Sequence, residues 1–277
     1  MSFNNFIPTV WSAQIARDRA RESVAIKNCN TDYEGEIADS GDRVEINTVP
    51  RPTISNYVKD ITVITPENLQ GASTELIIDQ SKYFCFEVDD IDKRQAKGNL
   101  MDSIKQEAAA GLSDVVDSYI FGKYAEAGKT ITATSLTSVL CISTIMSALE
   151  QLWKNNVPKN EMIVLEVSPS FYTKMVLAKI INVEKNDATL TSGYVGKFLN
   201  FEVFMSNNIY SSGGYDYCFA RTKKAISFAG NITKTEAFRP QSSFSDAIKG
   251  LDVFGAKVIR PKELVVIKAS FAAETTI

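Results

Sequence analysis

The sequence contains no histidine. That absence removes the side chain most used for proton transfer and metal ligation near neutral pH, so Ser-His-Asp and Cys-His mechanisms are excluded. Cysteine is sparse as well: Cys29, Cys85, Cys141 and Cys218 are scattered and form no CxxC pair. Small buried hydrophobes in a reducing compartment explain such cysteines better than a zinc or redox site does. No apolar run approaches the roughly 18 residues of a membrane-spanning helix. The opening MSFNNFIPTVWS lacks the basic segment and apolar core of a secretion signal, so a soluble, unsecreted protein is expected. The net charge of −3 argues against broad attraction to nucleic acid or to an anionic membrane. Internal repeats and low-complexity tracts are absent too.

What is present is enough apolar material for a large core. The 277 residues are 44% hydrophobic, and a chain near this length buries about three quarters of its unfolded surface. The organising stretch is Tyr83 to Ala125, where a strand, YFCFEVDDIDK, runs into the longest helix. Leu100, Ile104, Ala108, Leu112, Val115 and Tyr119 recur at helical spacing, so they are expected on the buried face, with Asp102, Gln106, Glu107 and Asp117 outside it. A helix from Asn99 to Ala125 would be roughly 40 Å long. Asp89, Asp90 and Asp92 precede it, where carboxylates cap free N–H groups and meet the positive end of the helix dipole. Gly98 and Gly111 predict a bend or a close crossing.

Upstream, Ile7 to Ile26 reads as an amphipathic helix opened by Pro8, with Arg17, Arg19 and Arg21 interleaved with Asp18 and Glu22. Arg43 to Val49 alternates as a short strand. The β-prone, proline-bracketed stretch from Pro50 to Gly71, with a returning strand over Ser73 to Asp90, predicts a long hairpin whose arms project about 33 Å. A two-stranded ribbon is marginal in water, so its apolar Ile54, Tyr57 and Ile61 point to a partner; an ordinary core pair is the alternative. Leu76, Ile78, Phe84, Phe86 and Val88 share one strand face.

A second unit begins near Thr130. Ser135 opens a helix carrying Val139, Ile142, Ile145, Met146, Leu149, Leu152 and Trp153 at helical spacing, stopped at Asn155 to Pro158. Met162 to Val167 is a buried strand, after which Ser168 caps and Pro169 starts a helix through Ile181. Asn182 to Gly196 reads as a surface loop, and Phe198 to Met205 and Tyr215 to Ala220 as strands. From Ala225 long strands return, with a turn at Arg260 to Glu263, to complete one sheet with the first unit against the long helix.

Candidate chemistry is thin. Asp90-Ile91-Asp92 has the DxD spacing of a Mg²⁺ site without the further acids that it needs, and helix capping explains it. Gly193 to Lys197 lacks the GxxxxGK[ST] spacing of a phosphate loop. Asn231-Ile232-Thr233 is a glycosylation sequon in a chain with no secretion signal. Neither catalytic, metal nor cofactor-binding residues are assigned, and no cofactor is expected.

The order of the pieces, with the phrases IPTVWSAQI, NTDYEGEIADSGDRVEINTV, KYFCFEVDDIDKRQA and ISFAGNITKTEAFRPQSSFSDAIKGLDVFGAKVIRP, resembles the HK97-fold major capsid proteins of tailed bacteriophages over nearly the whole chain. The resemblance implies an α+β fold: an N-arm over 1–40, a peripheral domain over 41–134 with an extended E-loop at 48–73 and a spine helix at 99–125, an inserted axial domain over 135–224, and peripheral return strands over 225–277. It implies a structural protein, not an enzyme, that self-assembles through pentamers and hexamers into an icosahedral shell around double-stranded DNA. Weak non-specific contact with the DNA is expected, with assembly in the host bacterial cytoplasm and no membrane. Trp11, Arg17 and Arg21 of the arm and Ile54, Tyr57, Lys59 and Ile61 of the hairpin are the expected inter-subunit contacts. Some relatives crosslink a lysine to an asparagine; Lys59 lies on the hairpin, but no motif fixes a partner and the crosslink is not carried over. Because the arm starts directly after Met1, a separate scaffolding protein is expected, together with a portal. An encapsulin-like compartment enclosing a cargo enzyme is the alternative, and a histidine-free enzyme using Asp90 and Asp92 is a third reading.

Overall fold

The fold is seen in a computed structural model that describes residues 18, 23–33, 43–48, 52–59, 66–67, 72–89, 100–179, 193–241 and 245–273. Ser23 sets the start of the first element. Its backbone is extended, and its hydroxyl accepts from the Ile26 N–H at 3.0 Å, capping the short helix α1, Val24–Lys27. The single arm helix expected through Ile26 is therefore interrupted at Ser23, because a residue that caps a helix leaves helical geometry.

Strands β1, Arg43–Thr48, and β2, Ala72–Ile77, pair antiparallel from Arg43 opposite Ile77 to Thr48 opposite Ala72. They form the base of the expected hairpin. The returning strand is broken at Ile78 and Asp79, so β3, Gln80–Asp89, enters a different sheet. Helix α2, Leu100–Phe121, continues as a 3-10 turn over Gly122–Glu126, close to the expected span. Its buried stripe is Ala109, Leu112, Val116 and Ile120, with Ser113, Asp117 and Phe121 beside it, while Val115 is exposed. The stripe is rotated about one residue from the expected face, which brings Asp117 inside. Gly111 has open space around it, so among the described residues no neighbouring element crosses there.

Strand β4, Lys129–Leu136, adds to the elements that periodicity indicates; its Thr-rich alternation suits a sheet edge. Helix α3 is Ser138–Lys154, starting three residues after the expected Ser135, which itself sits at φ 55°. Then follow β5, Ile163–Val167, and α4, Pro169–Leu177, whose cap is the Ser168 hydroxyl accepting from the Phe171 N–H at 3.3 Å. The chain continues through β6, Tyr194–Phe198; β7, Phe201–Met205; β8, Ser211–Ser212; and β9, Tyr215–Thr222. It closes with β10, Ile226–Phe238; β11, Ser245–Val258; and β12, Leu264–Phe271. Gly193 at φ 70° leads into β6, whose Lys197 pairs with Glu202 at 3.2 Å, so this stretch is a strand rather than a phosphate loop.

Among the described residues the strands form three sheets. These are β1-β2, β10-β11-β3, and a seven-stranded sheet ordered β4-β12-β9-β5-β7-β6 with β8 on β9. β3 thus meets β11 in one sheet, as expected of a chain that returns. β12 does not join them; it lies parallel to β4 and antiparallel to β9. Side chains alternate across a strand, so Val265, Ile267 and Ala269 pack with α3 and α4, and Leu264 and Val266 pack on the opposite face with Phe121 of α2. On that second face the C-terminal half of α2 is shared with Phe228, Phe254 and Ala256 of the three-stranded sheet. The helix is the common wall of two sheets. Gly255 belongs to this tight packing, since a Cβ there would collide with the Ile77 carbonyl oxygen.

Candidate functional site: the projecting loop and the arm junction

Above the β1-β2 base, residues 52–59 make no strand ladder and are all exposed. Ile54 is 92% exposed and Tyr57 66%, with Val58 and Lys59 also open to solvent. One carboxylate braces the segment: Glu67 accepts from the Thr53 N–H at 2.9 Å and the Thr53 hydroxyl at 3.1 Å. The expected ladder of about ten residues per arm is therefore replaced here by a braced loop on a short ladder. The predicted contacts Ile54, Tyr57 and Lys59 come together on it. Trp11, Arg17, Arg21 and Ile61, and the acids Asp90 and Asp92, lie outside the described residues.

A second apolar surface lies on α3, which is apolar on more than one side. Its buried face is Cys141, Ile145, Ala148, Leu149 and Leu152. Val139, at 75% exposure, Ile142, Met146 and Trp153, which share the helical spacing of the buried residues, form an outward stripe.

Below these surfaces, three parts of the chain meet in a buried polar junction that sequence reading missed. Asp117 of α2 accepts from the Ser23 hydroxyl, from the Val24 N–H at 3.0 Å and from the Ala25 N–H at 3.2 Å. A residue of the long helix thus caps the arm helix α1, satisfying N–H groups that a first turn leaves free. On the other side of α1, Arg221 of β9 forms a two-pronged pair with Glu166 of β5, Nε to Oε2 and Nη2 to Oε1, both at 2.8 Å. The same guanidinium donates to the Asn28 carbonyl and, at 3.3 Å, to the Ala25 carbonyl. Asn28 closes the network by donating to Glu166 at 3.1 Å. Burial opposes the Arg221 charge, but the Glu166 carboxylate more than offsets it, and the pKa is raised. The signal in the sequence is a charge of opposite sign deep in each of two apolar strands, Glu166 in IVLEV and Arg221 in YDYCFART.

Asp117 is different, because burial dominates over its hydrogen bonds and pushes the carboxyl up from 3.8 to about 6. A raised folded-state pKa means that the folded chain binds the extra proton between about pH 4 and 6. Its contribution to stability is full below the ordinary carboxylate pKa and is lost as pH rises through about 6. Urea unfolding of the unassembled subunit is expected to show wild type losing about 2–3 kcal/mol over this window relative to Asp117→Asn. Equal slopes for the two chains would refute the shift.

The buried thiols of Cys29 and Cys218 are not activated. Burial pushes Cys29 up to about 11 and Cys218 up to about 12, and the thiolate is the reactive form.

No protein-family model and no curated protein matches this sequence. Solved structures do. A chain from Mycobacterium phage Che8 matches with TM-score 0.70 and 29% identity over 96% of this chain and 98% of that one. The capsid structure of cyanophage P-SCSP1u matches at 0.65 and 16%, covering 88% and 86% of the two chains. The holo-SrpI encapsulin complex of Synechococcus elongatus PCC 7942 matches at 0.58 and 8%, with 87% of each chain covered. With its arm junction, braced loop, long helix and sheets, the chain has the α+β architecture of the HK97-like capsid fold. Its structural neighbours are shell-building proteins rather than enzymes.

Proposed function

We propose that this chain is the major capsid protein of a tailed bacteriophage, assembling through pentamers and hexamers into an icosahedral shell around double-stranded DNA. The end-to-end likeness to the phage Che8 chain, at TM-score 0.70 and 29% identity, carries the reading. The encapsulin shares the fold at lower identity and lower TM-score, which favours the virus over the compartment.

In this reading residues 1–40 are the N-arm, 48–73 the E-loop, 99–125 the spine helix and 135–224 the axial domain. Trp11, Arg17, Arg21, Ile54, Tyr57, Lys59 and Ile61 contact neighbouring subunits. A separate scaffolding protein and a portal take part, assembly takes place in the host cytoplasm, and packaged DNA touches the shell weakly. The physics supports it: heterologous contacts that close into rings, joined by further contacts, make a shell. Many modest contacts per subunit then hold it once ordering costs are met, and an acidic chain does not adhere to dense DNA.

Electron microscopy of the purified chain, alone and co-expressed with the scaffolding protein, is expected to show shells with five-fold and six-fold capsomers. Monomers under every condition would overturn the proposal. Particles filled with an enzyme, from a locus carrying its gene rather than terminase and portal genes, would establish the compartment instead.

A further inference from the structure

From Ser138 to Leu149 helix α3 carries no charged residue. Its only charges, Glu150 and Lys154, pair with each other at 2.7 Å near the C-terminal end. Beneath the helix lie β4 and β12, against which Cys141, Ile145, Ala148, Leu149 and Leu152 are buried. On its remaining sides Val139, Leu140, Ile142, Met146 and Trp153 are exposed. A helix that is apolar all round belongs between two layers, and among the described residues only one of them is present.

The hydroxyls of this stretch need no water either. Ser143 and Thr144 both donate to the Leu140 carbonyl and Ser147 donates to the Ser143 carbonyl, each at 2.9 Å. Back-bonding of this kind closes a hydroxyl on its own helix, so a neighbour can cover it with little loss of hydrogen bonding. The adjacent α4 adds no charge to the layer, because its one charged side chain, Lys174, is buried and donates to the Ala272 carbonyl at 2.6 Å.

Val139, Ile142, Met146 and Trp153 stand three, four and seven positions apart, the spacing of a seam that faces a single partner element. The seam is about 21 Å long at 1.5 Å per residue. With Leu140 it presents on the order of 450 Å² of apolar surface, a size that marks an interaction site on a monomer. That is more than half of the about 800 Å² that one side of a standard interface contributes.

The chemistry of the seam selects its occupant. A lipid surface takes helices whose polar side is rich in Lys and Arg, whereas the one lysine of α3 is paired to Glu150. A partner that binds and leaves, as an assembly factor does, requires a face that tolerates water afterwards; permanent interfaces instead resemble a core cut in half. A face without charge, with its hydroxyls closed, is of the permanent kind, and the permanent neighbours of a shell subunit are copies of itself. Residues 180–192, which follow α4, end where β6 begins, at the sheet edge about 24 Å from β4 across five strand spacings.

We propose that the exposed seam of α3 is a permanent contact with a second copy of this chain, an inference that rests on the shell-forming reading above. In a ring the contact is heterologous, so the seam of one copy meets a different patch on the next. The test uses the full chain with the double substitution Val139→Glu and Met146→Glu, and separately with Met146→Ala. Each variant is followed by urea unfolding of the unassembled subunit and by light scattering against concentration, and the wild-type particle is reconstructed. Subunit unfolding midpoints are expected to stay near wild type, since substitutions at exposed positions rarely change stability. The concentration for half-assembly is expected to rise about tenfold or more in the double variant, whose contact would bury two carboxylates, and about threefold in Met146→Ala, which only removes apolar area. The particle is expected to place side chains of a neighbouring copy within about 4.5 Å of Val139, Ile142 and Met146.

Variants that assemble like wild type would overturn the contact and leave the shell reading intact. So would a seam that faces water in the particle, or one covered by lipid, by a different protein, or by the same copy's residues 180–192 or 274–277. If the double variant fails to fold, Met146→Ala and the reconstruction decide. If wild type forms no particles, the shell reading fails and the contact falls with it.

Discussion

Replacing Arg221 by methionine is expected to lower the unfolding free energy of the unassembled subunit by about 3–5 kcal/mol, the cost of leaving one member of a buried ion pair alone. The arginine is fully buried and holds five acceptors: both oxygens of Glu166, the carbonyls of Asn28 and Ala25, and the Cys29 sulfur. Methionine fills much of the volume, so cavity formation adds little and the loss reports on polar groups stranded without water. Replacing Glu166 by methionine in the same chain removes the stranded carboxylate and is expected to recover part of the loss, because paired apolar substitutes for a buried ion pair are often tolerated. Chemical denaturation followed by far-ultraviolet circular dichroism measures all three chains. An Arg221→Met subunit within about 1 kcal/mol of wild type would show that the pair is unimportant to stability.

The opposite pattern is expected at the projecting loop. Ile54→Asp with Tyr57→Asp should leave the stability of the unassembled subunit within about 0.5 kcal/mol of wild type, since substitutions at exposed positions rarely change it more. Assembly should fail. Both side chains lie open to solvent on the isolated subunit, and a contact that buries them would have to accommodate two desolvated carboxylates. Sedimentation of the variant, with and without scaffolding protein, separates the outcomes. Shells of normal yield would remove these residues from the interface. A misfolded subunit would place them in its own core.

The two variants test different levels of the chain, and sequence reading serves those levels unequally. Features set by neighbours in sequence are legible. Ser168 followed by Pro169 reads directly as a cap and first turn, and the structure has both. The alternation in Arg43–Thr48 and the apolar, proline-bracketed stretch after it indicate a hairpin base with an exposed extension. Features set by distant partners are not legible in this way. Asp117 reads as a wet position because its three donors, Ser23, Val24 and Ala25, lie 92–94 residues away. Helix α3 misleads for another reason: with apolar residues on two faces, its spacing fits either, and only the sheet beneath it selects Ile145 and Leu149 over Val139 and Met146. Adjacency in sequence assigns β12 to the sheet of β10 and β11, because consecutive strands usually pair. The 3-10 turn over Pro261–Glu263 instead carries β12 out of their sheet and into the other.

The arm junction also constrains the order in which the chain becomes complete. Residues 23–29 leave the ribosome early, yet Asn28 meets Arg221 across 193 positions and Ser23 meets Asp117 across 94. Contacts of such separation close late and slowly, because the entropy of loop closure precedes any reward. A segment synthesised before its partners is therefore among the last to dock. A nascent chain truncated before β9 has no arginine for α1 to settle against, so a seated arm reports that the middle of the subunit has already been made.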